Sequence, residues 1–120
     1  IPILGKVPAG PSSGAYAEAM GHVPTVVERG DATGLFALKI KGDSMESSRW
    51  DGDTVVVRWQ ETASSGDVVV VRYEEGEATV KRLKVKPAGL MLVPDNPRYE
   101  PFDLGTGHIA GKVISLIRKL

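Results

Sequence analysis

Thr54-Val55-Val56-Val57-Arg58-Trp59 and Asp67-Val68-Val69-Val70-Val71-Arg72-Tyr73, separated by the loop Gln60–Gly66, decide the fold. Short runs of β-branched residues suit a pleated strand, because the branch at Cβ stiffens χ1 and fills the sheet surface. Their brevity, and the Gly and Pro around them, argue against helices. Downstream, Tyr73-Glu74-Glu75-Gly76-Glu77 is a hairpin signal, with Gly76 able to take positive φ. A return strand is expected over Glu77 to Lys84, then strands over Leu90 to Pro94 and Gly111 to Lys119. Upstream, Leu35 to Lys41 alternates like a strand, and Ile1 to Val7 is extended and apolar. Pro8 to Met20 is rich in small residues and reads as a mobile loop; Gly42 to Asp53 is turn-rich, with room for one short helical turn. The fold expected is mainly β with a high turn content.

The chain has 120 residues, the size of one ordinary domain. A chain this long buries roughly two thirds of its unfolded surface, enough for a core without covalent staples. Zero Cys excludes a disulfide framework, a thiolate metal site and a cysteine nucleophile. Two His leave the ordinary zinc patterns unavailable, so neither metal nor cofactor is expected. Lys plus Arg is 15 and Asp plus Glu is 15, so the net charge of zero does not advertise duplex DNA as a direct partner. No apolar run approaches the roughly 20 residues of a membrane helix, and no signal peptide is visible. A cytoplasmic location without a membrane partner is expected. The chain opens with Ile1 rather than Met, which suggests upstream residues in a longer protein. His22, His108, Trp50, Met20 and Met91 have no site-like spacing and read as packing residues.

Three stretches could carry chemistry. In Gly42-Asp43-Ser44-Met45, a turn can expose the Ser44 hydroxyl and leave neighbouring backbone N–H groups free for an oxyanion. The plainer reading of those four residues is a turn that caps a short helix. In Thr79-Val80-Lys81-Arg82-Leu83, strand alternation puts Lys81 on one face with Thr79 and Leu83. A lysine is a base only when neutral, and at an ordinary pKa of about 10.4 roughly one in 2,500 is neutral at pH 7. Burial is the usual way to raise that fraction, and it must overcome about 4 kcal/mol. The plainer reading takes Lys81, Arg82, Lys84 and Lys86 together as a solvated basic face. In Val7-Pro8-Ala9-Gly10, small residues suit a narrow cleft that accepts a bent backbone, or else simply a turn.

Taken together these blocks are more specific. Gly42 to Asp53 resembles the nucleophile motif of the LexA family of self-cleaving repressors, which includes phage repressors and UmuD-type proteins. Gly66-Asp67-Val68-Val69-Val70, Ala78-Thr79-Val80-Lys81-Arg82-Leu83 and Leu92-Val93-Pro94-Asp95-Asn96-Pro97 match further blocks of the same family, in order, from about Ile3 to Leu120. Val7-Pro8-Ala9-Gly10 falls where the family has its Ala-Gly cleavage site. Where the family often has Pro and an aliphatic residue after its nucleophile motif, this chain has Ser47 and Arg49, with Trp50 available as an apolar anchor.

The resemblance implies several short, strongly bent sheets, as in the catalytic domains of LexA-like proteins and signal peptidases. It implies that residues 1–120 form one autoproteolytic and dimerising domain, with a cleavage segment and hinge over 1–30 and a catalytic core over 35–120. It implies Ser44 as nucleophile, Lys81 as general base, the backbone N–H groups of Ser44 and Met45 as oxyanion donors, and cleavage between Ala9 and Gly10, with Val7 and Pro8 leading into the cleft. The family's partners would be a second copy of the chain, the RecA–single-stranded-DNA filament as co-protease, and operator DNA through an N-terminal helix-turn-helix domain outside these residues. The function implied is a repressor that inactivates itself in the DNA-damage (SOS) response. Gly111 to Ile117 is apolar on both faces by alternation (Val113 with Ile117, Ile114 with Leu116), and an edge strand of that kind invites pairing with another copy. A phage repressor and a UmuD-type polymerase accessory are alternatives with the same chemistry. A non-catalytic β-domain holding single-stranded nucleic acid through Lys81 to Lys86, Trp59 and Tyr73 is disfavoured by zero net charge and only 6% aromatic residues.

Overall fold

The computed structural model describes residues 1–5, 21–22, 34–41, 52–74 and 76–118. Among these the chain forms strands β1 (Pro2–Ile3), β2 (Gly21–His22), β3 (Leu35–Lys39), β4 (Thr54–Trp59), β5 (Val68–Arg72), β6 (Ala78–Lys86), β7 (Gly89–Val93), β8 (Phe102–Asp103) and β9 (His108–Ile117). The mainly-β expectation holds. No helix among the described residues is long and apolar enough to cross a membrane.

All nine strands connect in the order β2-β1-β3-β4-β9-β5-β6-β7-β8. Neighbours pair antiparallel, except that β1 runs parallel to β3, with Ile3 opposite Ala37. The two valine runs are β4 and β5, and β9 lies between them. Val55, Val57 and Val70 join Leu4, Phe36, Leu38 and Ile40 in one core cluster, with the Phe36 and Trp59 rings 4.2 Å apart. Val69 and Val71 join Leu83, Leu92 and Ile109 in a second. Each fully buried valine or leucine contributes about 1.5–3 kcal/mol, so both faces of β5 are strongly held.

The bending has a local cause. The ladder between β4 and β9 slips between Val56 and Val57, leaving Ile114 without a register partner; that between β5 and β9 slips between Val70 and Val71, leaving Ala110 without one. A bulge adds a residue on one strand and sharpens its twist. One long strand carrying two bulges thus joins into a single nine-stranded sheet what the resemblance implied as several short ones.

The bulges also correct the reading of the C-terminal strand. With Ile114 inserted, Val113 faces Val57 and Leu116 faces Val55, so these two share a face, while Ser115 and Ile117 lie opposite Val56 and Thr54. Strict alternation cannot survive an extra residue, because one slip exchanges the two faces. Nor is β9 an edge strand along its length: residues 108–112 pair with β5, and 111–117 with β4. Among the described residues, Val113 to Ile117 pair with β4 alone, and His108 and Ile109 with β5 alone.

β6 continues to Lys86, beyond the expected end at Lys84, because its pairing with β7 runs out to Lys86 and Gly89. The hairpin before it follows expectation: Gly76 has φ +85° and Tyr73 N–H donates to Glu77 O at 2.8 Å.

Candidate active site around Lys81

Lys81 lies in the middle of β6, opposite Val69, with Thr79 opposite Val71. The face expected from alternation is therefore real, and it is dry: Val69, Val71 and Leu83 are fully or almost fully buried, and Lys81 itself is 9% exposed. Among the described residues Lys81 forms no ion pair. Its Nζ donates to Thr79 Oγ1 at 2.6 Å and to the Val80 carbonyl at 3.1 Å. Burial alone pushes its pKa below the usual lysine range.

The two protonation states meet those two acceptors differently. An ammonium has three N–H donors, so one stays unused by the described residues. A neutral amine has two N–H donors and one lone pair. Thr79 and Val80 take both donors and leave the lone pair for a proton. Either form can meet these two acceptors, and it is burial that disfavours the charged one.

Lys81 borders a cleft of about 380 Å³ lined by Ile3, Leu4 and Gly5, by Leu38 to Lys41, and by Ala78 to Val80. Three distant stretches converge there for traceable reasons. Leu4 N–H donates to Ala37 O at 2.9 Å, which ties the N-terminal strand to β3. Val80 packs on the cluster containing Leu4, Leu38 and Ile40, which brings the start of β6 against both. The lining is mostly aliphatic, and its charged members are Lys39, Lys41 and Lys81.

Ser44, Met45, Val7, Pro8, Ala9 and Gly10 lie outside the described residues, as do the hinge over 11–20 and Trp50. Lys41, three positions before Ser44 in sequence, and Gly5, four positions before Ala9, both line the cleft.

Two side-chain clusters escaped sequence reasoning. Arg82, read as one of a solvated run, forks onto Asp95, with Nε–Oδ1 and Nη2–Oδ2 both 2.9 Å, and Nη1 donates to Gly66 O at 2.8 Å. Lys84 and Lys86 are exposed as expected. Asp53, buried at 4% exposure, receives Arg118, which holds its carboxyl below the usual carboxylate range by hydrogen bonding. These partners are too far apart in sequence for any local pattern to signal them.

A family model described as Peptidase S24-like matches residues 2–114. The chain is 41% identical over 121 residues to a LexA repressor of Halalkalibacterium halodurans, 41% over 124 residues to one of Bacillus cytotoxicus, and 40% over 121 residues to one of Mycobacterium leprae. Each match covers 100% of this chain and, respectively, 58%, 59% and 51% of the relative. The chain thus spans little more than half the length of these curated relatives.

Proposed function

The chain belongs to the Peptidase S24-like family, and from that premise we propose that it is the self-cleaving part of a LexA-like repressor. The observation that carries this reading is the buried Lys81, whose Nζ has Thr79 Oγ1 and the Val80 carbonyl as its hydrogen-bond partners among the described residues and no carboxylate beside it. In the first step neutral Lys81 takes the hydroxyl proton of Ser44, and Ser44 Oγ attacks the Ala9 carbonyl carbon. The carbonyl π electrons move to oxygen, where the backbone N–H groups of Ser44 and Met45 act as donors, a contribution of about 10²–10³ in rate. On collapse the Ala9–Gly10 bond breaks, and the Lys81 ammonium returns its proton to the leaving Gly10 nitrogen. Water then releases the acyl group from Ser44, with Lys81 again accepting a proton. Because enzyme and substrate are one chain, proximity supplies much of the acceleration.

Cleavage of this bond would detach whatever precedes Gly10. By analogy with the family, that is an operator-binding domain, whose affinity falls once it loses the dimerising part. A RecA–single-stranded-DNA filament would act by favouring the docked state of the cleavage segment. The experiment is mass spectrometry of the intact full-length protein after incubation at alkaline pH. A break between Ala9 and Gly10 is expected; an intact mass, or a break elsewhere, ends the proposal.

The pH dependence has a definite sign. Burial lowers the Lys81 pKa, so the neutral fraction climbs with pH and levels off above that lowered value. First-order cleavage should rise about tenfold per pH unit below the plateau. A flat profile from pH 6 to 10 would remove Lys81 as the base.

The dimer contact is proposed on Val113 to Ile117, where the ladder is open on one side among the described residues and Ile114 and Leu116 are 40% and 38% exposed. Leu116→Asp should shift the sedimentation-velocity peak from dimer to monomer. An unchanged peak would move the contact elsewhere.

A further inference from the structure

The residues just after β3 and just before β4 are tied to each other by a hydrogen-bonded neck. Ile40 N–H donates to Asp53 O at 2.8 Å, and Gly52 N–H donates to Ile40 O at 3.0 Å. Ile40 and Lys41, on the outgoing side, line the cleft beside Lys81. Asp53, on the returning side, has its carboxylate gripped by Arg118, the residue directly after β9: Nε lies 3.0 Å from Oδ1 and 3.1 Å from Oδ2, and Nη2 lies 2.6 Å from Oδ2. A planar guanidinium holding both oxygens fixes the orientation of the carboxylate as well as its charge.

We propose that Asp53 and Arg118 are positioning residues for the cleavage reaction: their fork anchors the returning stem of the segment that carries Ser44 to β9, and so holds the nucleophile in reach of Lys81. This rests on the reading of Ser44 as the nucleophile. The chain of contacts is continuous from Arg118 through the Asp53 carboxylate and the Asp53 carbonyl to Ile40 and the cleft wall. A displacement of about 1 Å at a reacting atom costs on the order of a hundredfold in rate, so a loosened stem is felt at the chemistry without any contact to it.

The test uses the full-length protein with Arg118→Gln, Arg118→Lys, Asp53→Asn and the double variant Asp53→Asn/Arg118→Gln, alongside Ser44→Ala. Self-cleavage is followed from pH 7 to 10, and urea unfolding is measured on each. Arg118→Gln should slow cleavage by about tenfold to a hundredfold. Arg118→Lys keeps the charge beside Asp53 but not the fork. Its unfolding midpoint should lie near that of the parent while cleavage stays about tenfold slow, a separation that charge balance alone would not produce. The midpoint of the pH profile should not move, since Lys81 remains as dry as before. The double variant should be no slower than the slower single variant. Parental rates in Arg118→Gln, or rates that simply track the folded fraction, would overturn the inference, and so would a shifted pH midpoint. Ser44→Ala separates the two levels: if it still cleaves, the reading of the nucleophile fails; if it is silent while the Arg118 variants cleave normally, only the anchoring role fails.

Discussion

Lys81→Met should yield a protein that no longer cleaves itself yet is more stable than its parent at neutral pH. The loss of cleavage should be on the order of 10³-fold or more, because the only proposed acceptor for the Ser44 proton is gone. The stability gain follows from the face on which the residue sits. Val69, Val71 and Leu83 share its sheet face and are buried, and the described residues supply two neutral acceptors and no carboxylate. Holding an ammonium there is costly, and a methionine fills similar volume without charge. A gain of about 1–3 kcal/mol is expected at pH 7.

Its pH dependence can be signed. Burial lowers the folded-state pKa of Lys81 below the unfolded value of about 10.4. Between the two values the unfolded chain binds more protons, so parental stability rises with pH through that window. The advantage of the methionine variant is therefore full below the folded pKa and shrinks as the pH approaches about 10.4. Urea unfolding at pH 7 and pH 10 measures it. A variant less stable than its parent at pH 7 would show that the ammonium is well compensated, and persistent cleavage would exclude Lys81 as the base.

Gly111→Ala should be strongly destabilising for a change of one methyl group. Gly111 sits where β9 crosses from β4 to β5, opposite Trp59 on one side and Val70 on the other. A Cβ there would collide with the Arg58 carbonyl oxygen and would lie 2.5 Å from Val57 Cγ1. The first obstacle is backbone in a paired strand, so relief requires β4 and β9 to separate, in the strand pair that joins the two core clusters. A loss of about 2–4 kcal/mol is expected from overpacking combined with broken ladder bonds. Gly34→Ala is the control, since a Cβ at that position meets nothing within 4 Å; its effect should stay within about 1 kcal/mol. Equal midpoints for the two variants in urea would mean that β9 can shift to make room.

Much of the local structure was legible from short-range chemistry. The valine runs became strands because β-branched side chains favour the pleat whatever their partners. The turn at Gly76 followed from a residue that tolerates φ +85°. The pairing of Lys81 with Thr79 followed from a period of two, which also made Lys81 stand out before its surroundings were known. The family was legible too, through blocks in order along the chain. The bulges at Ile114 and Ala110 were not, and they inverted the faces of the C-terminal strand. Nothing in Val113-Ile114-Ser115-Leu116 announces an inserted residue, because a bulge is a mismatch between two strands and belongs to neither alone.

Local residue chemistry is enough to say which residues can form strands, where the chain can turn, and which side chains could serve as a nucleophile and a base. Tertiary structure alone decided that β9 lies between the two valine strands, that Arg82 and Arg118 are tied to Asp95 and Asp53, and above all that Lys81 is dry. Alternation assigns a lysine to a face, but the proton affinity of that lysine depends on what covers the face. Here the same face carries the buried Val69, Val71 and Leu83, the cleft wall beside Lys81 comes from β1 and β3, and only the long-range pairing of the sheet brings them together.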